Sequence, residues 1–111
     1  MVQTYRRVSP AHLERETRDF WLAINREWAL EEHHVKILTA ACEAWDRAQQ
    51  ARRALEEKGL TYMDRFGQPK ARPEAAIERR NRTEFARLIR ELGLDHVEPP
   101  GSRPPRIGGQ Q

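Results

Sequence analysis

Fifteen residues, Gly59 to Pro73 (GLTYMDRFGQPKARP), constrain the fold of this chain more than any other stretch. Two long helix-forming runs flank them, and the glycines and prolines between forbid one continuous helix. Gly59 suits a helix end because it tolerates backbone conformations that a Cβ disfavours. Thr61-Tyr62-Met63 is β-prone, Asp64-Arg65-Phe66-Gly67 reads as a turn, and Gln68 to Ala71 can return alongside. Pro73 fits the first turn of a new helix, where its missing N–H costs nothing. The expectation is a small β-hairpin set between helices.

Before it, Ser9-Pro10 reads as a helix start, Ser as N-cap and Pro at the first helical position. Leu13, Thr17, Phe20, Ile24 and Trp28 then recur at helical spacing and mark the expected inner face. The run Glu31 to Lys58 is strongly helical, with Val35, Leu38, Cys42, Trp45 and Leu55 on its apolar side. No Gly or Pro enforces a break near residues 29–33. One rod over residues 10–58 would be about 70 Å long and would need partner chains along its stripe. Compactness favours an antiparallel helical hairpin bent near Leu30 to Glu32. After the β-hairpin, Glu74 to Leu92 forms a third helix, with Ala76, Ile77, Phe85, Leu88, Ile89 and Leu92 inward and Gly93 as its stop. The fold class is therefore mainly α, with residues 1–8 as an N-terminal arm and 9–94 as the helical domain. Residues 95–111, rich in Pro and Gly, form an expected flexible C-terminal tail.

Composition narrows the function. The 111 residues are 38% hydrophobic and 33% charged, with a net charge of +3. That leaves little apolar material for a core and matches solvated helices. No apolar run approaches the ~20 residues of a membrane span, and MVQTYRR lacks the apolar segment of a signal peptide, so no membrane partner is expected. The single cysteine, Cys42, excludes an intrachain disulfide and reads as a buried thiol. His33 and His34 are adjacent, hence about 100° apart on a helix and unsuited to a shared metal, so no metal is expected. There is no phosphate-binding glycine loop, no dinucleotide fingerprint and no HExxH motif. Asp64 alone cannot build a two-metal nuclease centre. The expectation is a chain that is not an enzyme and carries no cofactor.

Positive charge is locally least diluted in residues 60–73, where Arg65, Lys70 and Arg72 face only Asp64. Elsewhere Arg and Lys alternate with carboxylates, as on a solvated face or a weak phosphate-facing one. Trp21, Trp28 and Trp45 read as core or subunit-interface anchors rather than base-stacking platforms.

A helix with Cys42 and Trp45, then Gly59, then T-Y-x-D-x-x-G-x-P-K-x-x-P over Thr61 to Pro73, then a charged helix ending in Leu92-Gly93-Leu94, resembles a phage small-terminase family. The resemblance spans roughly residues 13–103. It implies a non-catalytic subunit of a tailed-phage packaging motor, including motors of the cohesive-end type, at work in the host cell cytoplasm. It also implies double-stranded DNA, the terminase large subunit and further copies of the chain, gathered in a homo-oligomeric ring, as partners. DNA contacts are then expected from Arg65, Lys70 and Arg72, next from Arg79, Arg80 and Arg82, with Arg6, Arg7 and the first-helix arginines as rivals. Contacts between copies are expected from Trp21, Trp28, Trp45 and Phe66. The alternative is a helical protein–protein adaptor or scaffold that never touches DNA.

Overall fold

The computed structural model describes residues 7–94. Arg6 and the C-terminal tail lie outside the described residues. The elements run α1 (Arg15–Glu27), α2 (Glu32–Lys58), β1 (Thr61–Met63), β2 (Pro69–Ala71) and α3 (Pro73–Leu92). The mainly α class, the helical hairpin, the β-hairpin and the third helix all match the expectation.

α2 is the central element, with α1 on one side and α3 along most of the other. Side chains of α2 that bond to α1 and the turn before it are Thr39, Glu43, Asp46, Gln50 and Arg53. They recur at three- and four-residue steps, one helical face. Ala41, Ala44, Ala48 and Ala51 occupy the opposite face and are buried, so small side chains let α3 approach closely. Large buried side chains are few: Leu13, Trp21, Leu38, Cys42 and Leu92 form the core cluster, with Leu22, Ile24, Leu30, Val35, Ile37 and Leu94 packed against it.

Two expectations need correction. α1 does not start at Ser9-Pro10. The Pro10 carbonyl instead accepts the Leu13 N–H at 3.3 Å in a turn, and the helix begins at Arg15 behind Glu14. The cause is tertiary. The Asp46 carboxylate of α2 accepts the Glu14 N–H at 2.7 Å and the Thr17 hydroxyl, capping α1 from a neighbouring helix. The inner stripe of α1 also differs at one position: Leu13 and Thr17 are buried and Ile24 packs on the core as expected, but Trp21 is buried where Phe20 was expected, and Phe20 is 37% exposed. Trp21 is anchored there by its indole N–H, which donates to Thr39 Oγ1 at 3.0 Å.

The break between α1 and α2 comes without glycine or proline because side chains hold the connection. Trp28 closes α1 in an extended conformation, its N–H on the Ile24 carbonyl. The Glu31 N–H donates to His34 Nδ1 at 3.1 Å within a capping box, the reciprocal arrangement that ends a helix N-terminally. Arg7 donates to the Leu30 carbonyl at 3.1 Å, and Leu30 packs on the core.

Candidate nucleic-acid interface

The β-hairpin is built from the turn outward. Asp64 and Gln68 close a three-residue loop of Arg65, Phe66 and Gly67. The Gly67 N–H returns to the Asp64 carbonyl at 3.0 Å, and the Asp64 N–H donates to Gln68 at 3.0 Å. Gly67 has φ +75°, the left-handed position that ends a type I turn and forms a G1 bulge. One Asp64 carboxylate oxygen accepts the Phe66 and Gln68 N–H groups at 2.8 and 2.9 Å. Asp64, the only carboxylate of the segment, is thus occupied by the loop backbone.

Register pairs Thr61 with Ala71, Tyr62 with Lys70 and Met63 with Pro69. Side chains alternate faces along a strand, so Tyr62 and Lys70 share one face while Thr61, Met63, Pro69 and Ala71 share the other. All six strand residues are exposed. Leu60, Met63 and Phe66 are 68%, 64% and 73% exposed, a large apolar surface for a two-stranded unit that is marginal alone.

The sequence-nominated cations divide by what they touch. Arg65 and Lys70 are exposed with no carboxylate partner among the described residues; the Arg65 guanidinium lies 5.1 Å from the centre of the Phe66 ring. Arg72 is tied down. Its guanidinium donates to the Lys58 carbonyl at 3.3 Å and lies 5.9 Å from the centre of the Tyr62 ring, while its N–H closes on the Leu60 carbonyl. It fastens the hairpin base to the end of α2. On α3, Arg79 and Arg80 are exposed without carboxylate partners among the described residues, whereas Arg82 is paired with Glu78 at 2.8 Å. Arg87 is likewise engaged by Glu84, whose carboxyl its hydrogen bond holds below the usual range. Arg7 bonds Glu32 at 3.4 Å as well as Leu30, which folds it onto the α1–α2 connection. Arg6 lies outside the described residues. Arg18 donates to the Leu13 carbonyl at 2.7 Å.

Of the aromatics expected between copies, Trp21 is 2% exposed; it fills the chain's own core, which removes it from any outer surface. Trp28 is half-buried and Phe66 stands at the hairpin tip. Trp45 is 37% exposed and takes part in a feature the sequence reading missed. Phe20 of α1, Trp45 of α2 and Phe85 of α3 meet at the surface, with Phe85 centred 6.4 Å from Phe20 and 4.9 Å from Trp45. With Glu16 and Thr17 they line an open groove of about 290 Å³. Spacing alone places Phe20 and Phe85 inward; the signal for the groove is that two helices flank α2, so aromatics from all three can converge at its edge.

Cys42 is buried, and loss of solvation, with Asp46 and Glu43 adding repulsion, pushes its thiol up to about 12. It is not a nucleophile at neutral pH. Among the described residues no cluster of His, Cys, Asp and Glu could hold a metal, and no helix is long and apolar enough to cross a membrane.

No curated protein and no solved structure matches the chain. A family model described as "Phage terminase, small subunit" matches residues 3–98. This span contains all five elements and the whole Thr61-to-Pro73 motif, so the chain belongs to the phage terminase small-subunit family and has its place in phage DNA packaging.

Proposed function

We propose that this chain is the DNA-recognition subunit of a packaging motor: copies assemble, bind viral double-stranded DNA and deliver it to the large subunit in the host cell cytoplasm. ATP hydrolysis and DNA cleavage are left to that large subunit. The observation that carries the reading is the hairpin, where Arg65 and Lys70 stand exposed without a carboxylate partner among the described residues while the nearby carboxylate of Asp64 is engaged by backbone N–H groups. Arg79 and Arg80 extend the basic surface along α3. Arg72 and Arg82 contribute charge from fixed positions, and Arg7 is too engaged to lead. The opposite hairpin face, with Met63, together with Phe66 and Trp28, is the surface offered to neighbouring copies. A ring would repeat a few weak phosphate contacts many times and sum them.

The test is duplex binding by fluorescence anisotropy across a salt series. R65E/K70E, which leaves the Arg72 fastening intact, should weaken binding. It should also flatten the dependence of log K on log salt by roughly 0.9 per lost phosphate contact, about 2 in all for each subunit engaged. Unchanged affinity and slope would move the site off the hairpin. No binding by the parent chain at low salt would instead favour the protein–protein adaptor.

A further inference from the structure

The groove of Phe20, Trp45 and Phe85 is used neither by the core nor by the proposed DNA surface. It joins three aromatic rings to unbalanced negative charge: Glu16 lines it and has no ion-pair partner among the described residues. An aromatic floor with an acidic edge suits a ligand that is apolar, extended and cationic. Polyproline segments dock aromatic grooves in this way, because their conformation is largely fixed before binding.

The chain itself carries such a segment. Residues 99–106 read PPGSRPPR. In a polyproline helix of three residues per turn, Arg103 and Arg106 share one edge, which can face Glu16. The tether is long enough. Phe85 lies nine residues before Leu94, about 13 Å back along α3 at 1.5 Å per residue. The five residues from Leu94 to Pro99 span up to about 16 Å, so residues 99–106 can run back over the groove. We propose that residues 99–106 dock in the Phe20–Trp45–Phe85 groove of their own chain, prolines on the rings and the Arg103–Arg106 edge toward Glu16. Docking within one chain has the advantage of a high effective concentration from a short tether. The proposal is independent of DNA binding.

The experiment uses the full chain with S102C carrying a nitroxide; buried Cys42 does not compete for the label. In an isotope-labelled sample the Trp45 indole N–H signal should be lost while the Gly67 amide, at the distant hairpin tip, is retained. R103E/R106E should restore the Trp45 signal. A Trp45 signal unaffected by the label overturns the proposal. So does a loss that persists in R103E/R106E, which would reflect the tether alone. A loss that also appears when isotope-labelled chains without nitroxide are mixed with nitroxide-labelled chains lacking the isotope would assign the docked tail to a second copy and overturn docking within the chain.

Discussion

Asp46→Ala tests how the first helix is held. Asp46 is 5% exposed, and its carboxylate takes the Glu14 N–H at 2.7 Å and the Thr17 hydroxyl. The substitution leaves the buried Thr17 hydroxyl and the part-buried Glu14 N–H without their acceptor and deprives α1 of a carboxylate at its positive end. A hydrogen bond to a charged acceptor contributes about 1.5–3 kcal/mol, and loss of an N-terminal cap costs about 1 kcal/mol. Because the two contributions overlap, a total near 3 kcal/mol is expected. With a urea m-value of about 1.5 kcal/mol/M for a domain of this size, the unfolding midpoint should fall by about 2 M at fixed protein concentration. Asp46→Asn keeps one carbonyl acceptor and should lose about half as much. In a Thr17→Val background Asp46→Ala should cost less than it does alone, giving a coupling of about 1 kcal/mol in the double-mutant cycle. A loss below about 0.5 kcal/mol for Asp46→Ala, or strict additivity with Thr17→Val, would refute the claim that α2 caps α1.

The thiol gives a second prediction, with its sign fixed by burial. The Cys42 pKa rises from 9.0 to about 12 on folding, so the folded chain keeps a proton that the unfolded chain sheds. The stabilisation is fully present below pH 9 and is lost progressively between pH 9 and 12. Urea titrations should show a steeper alkaline decline for the parent than for Cys42→Ala, and thiol reagents at pH 8 should modify the native chain only upon unfolding; rapid native labelling would contradict this. At the hairpin, Asp64→Ala releases the Phe66 and Gln68 N–H groups while removing a negative charge. If hairpin shape governs phosphate contact, DNA affinity should fall despite the more positive segment; tighter binding would show that charge alone matters.

Much of this fold is legible in the residues alone. The glycine and proline positions from Gly59 to Pro73 dictate the hairpin locally, since Gly67 meets a turn geometry that few other residues adopt. Gly93, in the left-handed conformation, likewise stops α3. The start of α1 was not legible, because the residue that sets it, Asp46, is 32 positions from the N–H it receives. The exchange of Phe20 for Trp21 on the α1 stripe has a similar cause: spacing cannot choose between them when each continues a three- or four-residue step, and the Thr39 hydroxyl decides for Trp21. The basic site was legible as composition but not as availability. Arg65, Lys70 and Arg72 look equivalent in sequence, yet only the fold shows that Arg72 is spent on the Lys58 carbonyl.

The alanine face of α2 has a mechanical consequence. Where Ala41, Ala44, Ala48 and Ala51 are buried along one face of α2, that seam has few long side chains to flex, which stiffens α2 and α3 into a double beam. The hairpin is welded to this beam at both of its ends, through Lys58 on one side and Pro73 on the other. A load applied at Phe66 is therefore transmitted down the beam toward the α1–α2 connection instead of being absorbed by a bending loop.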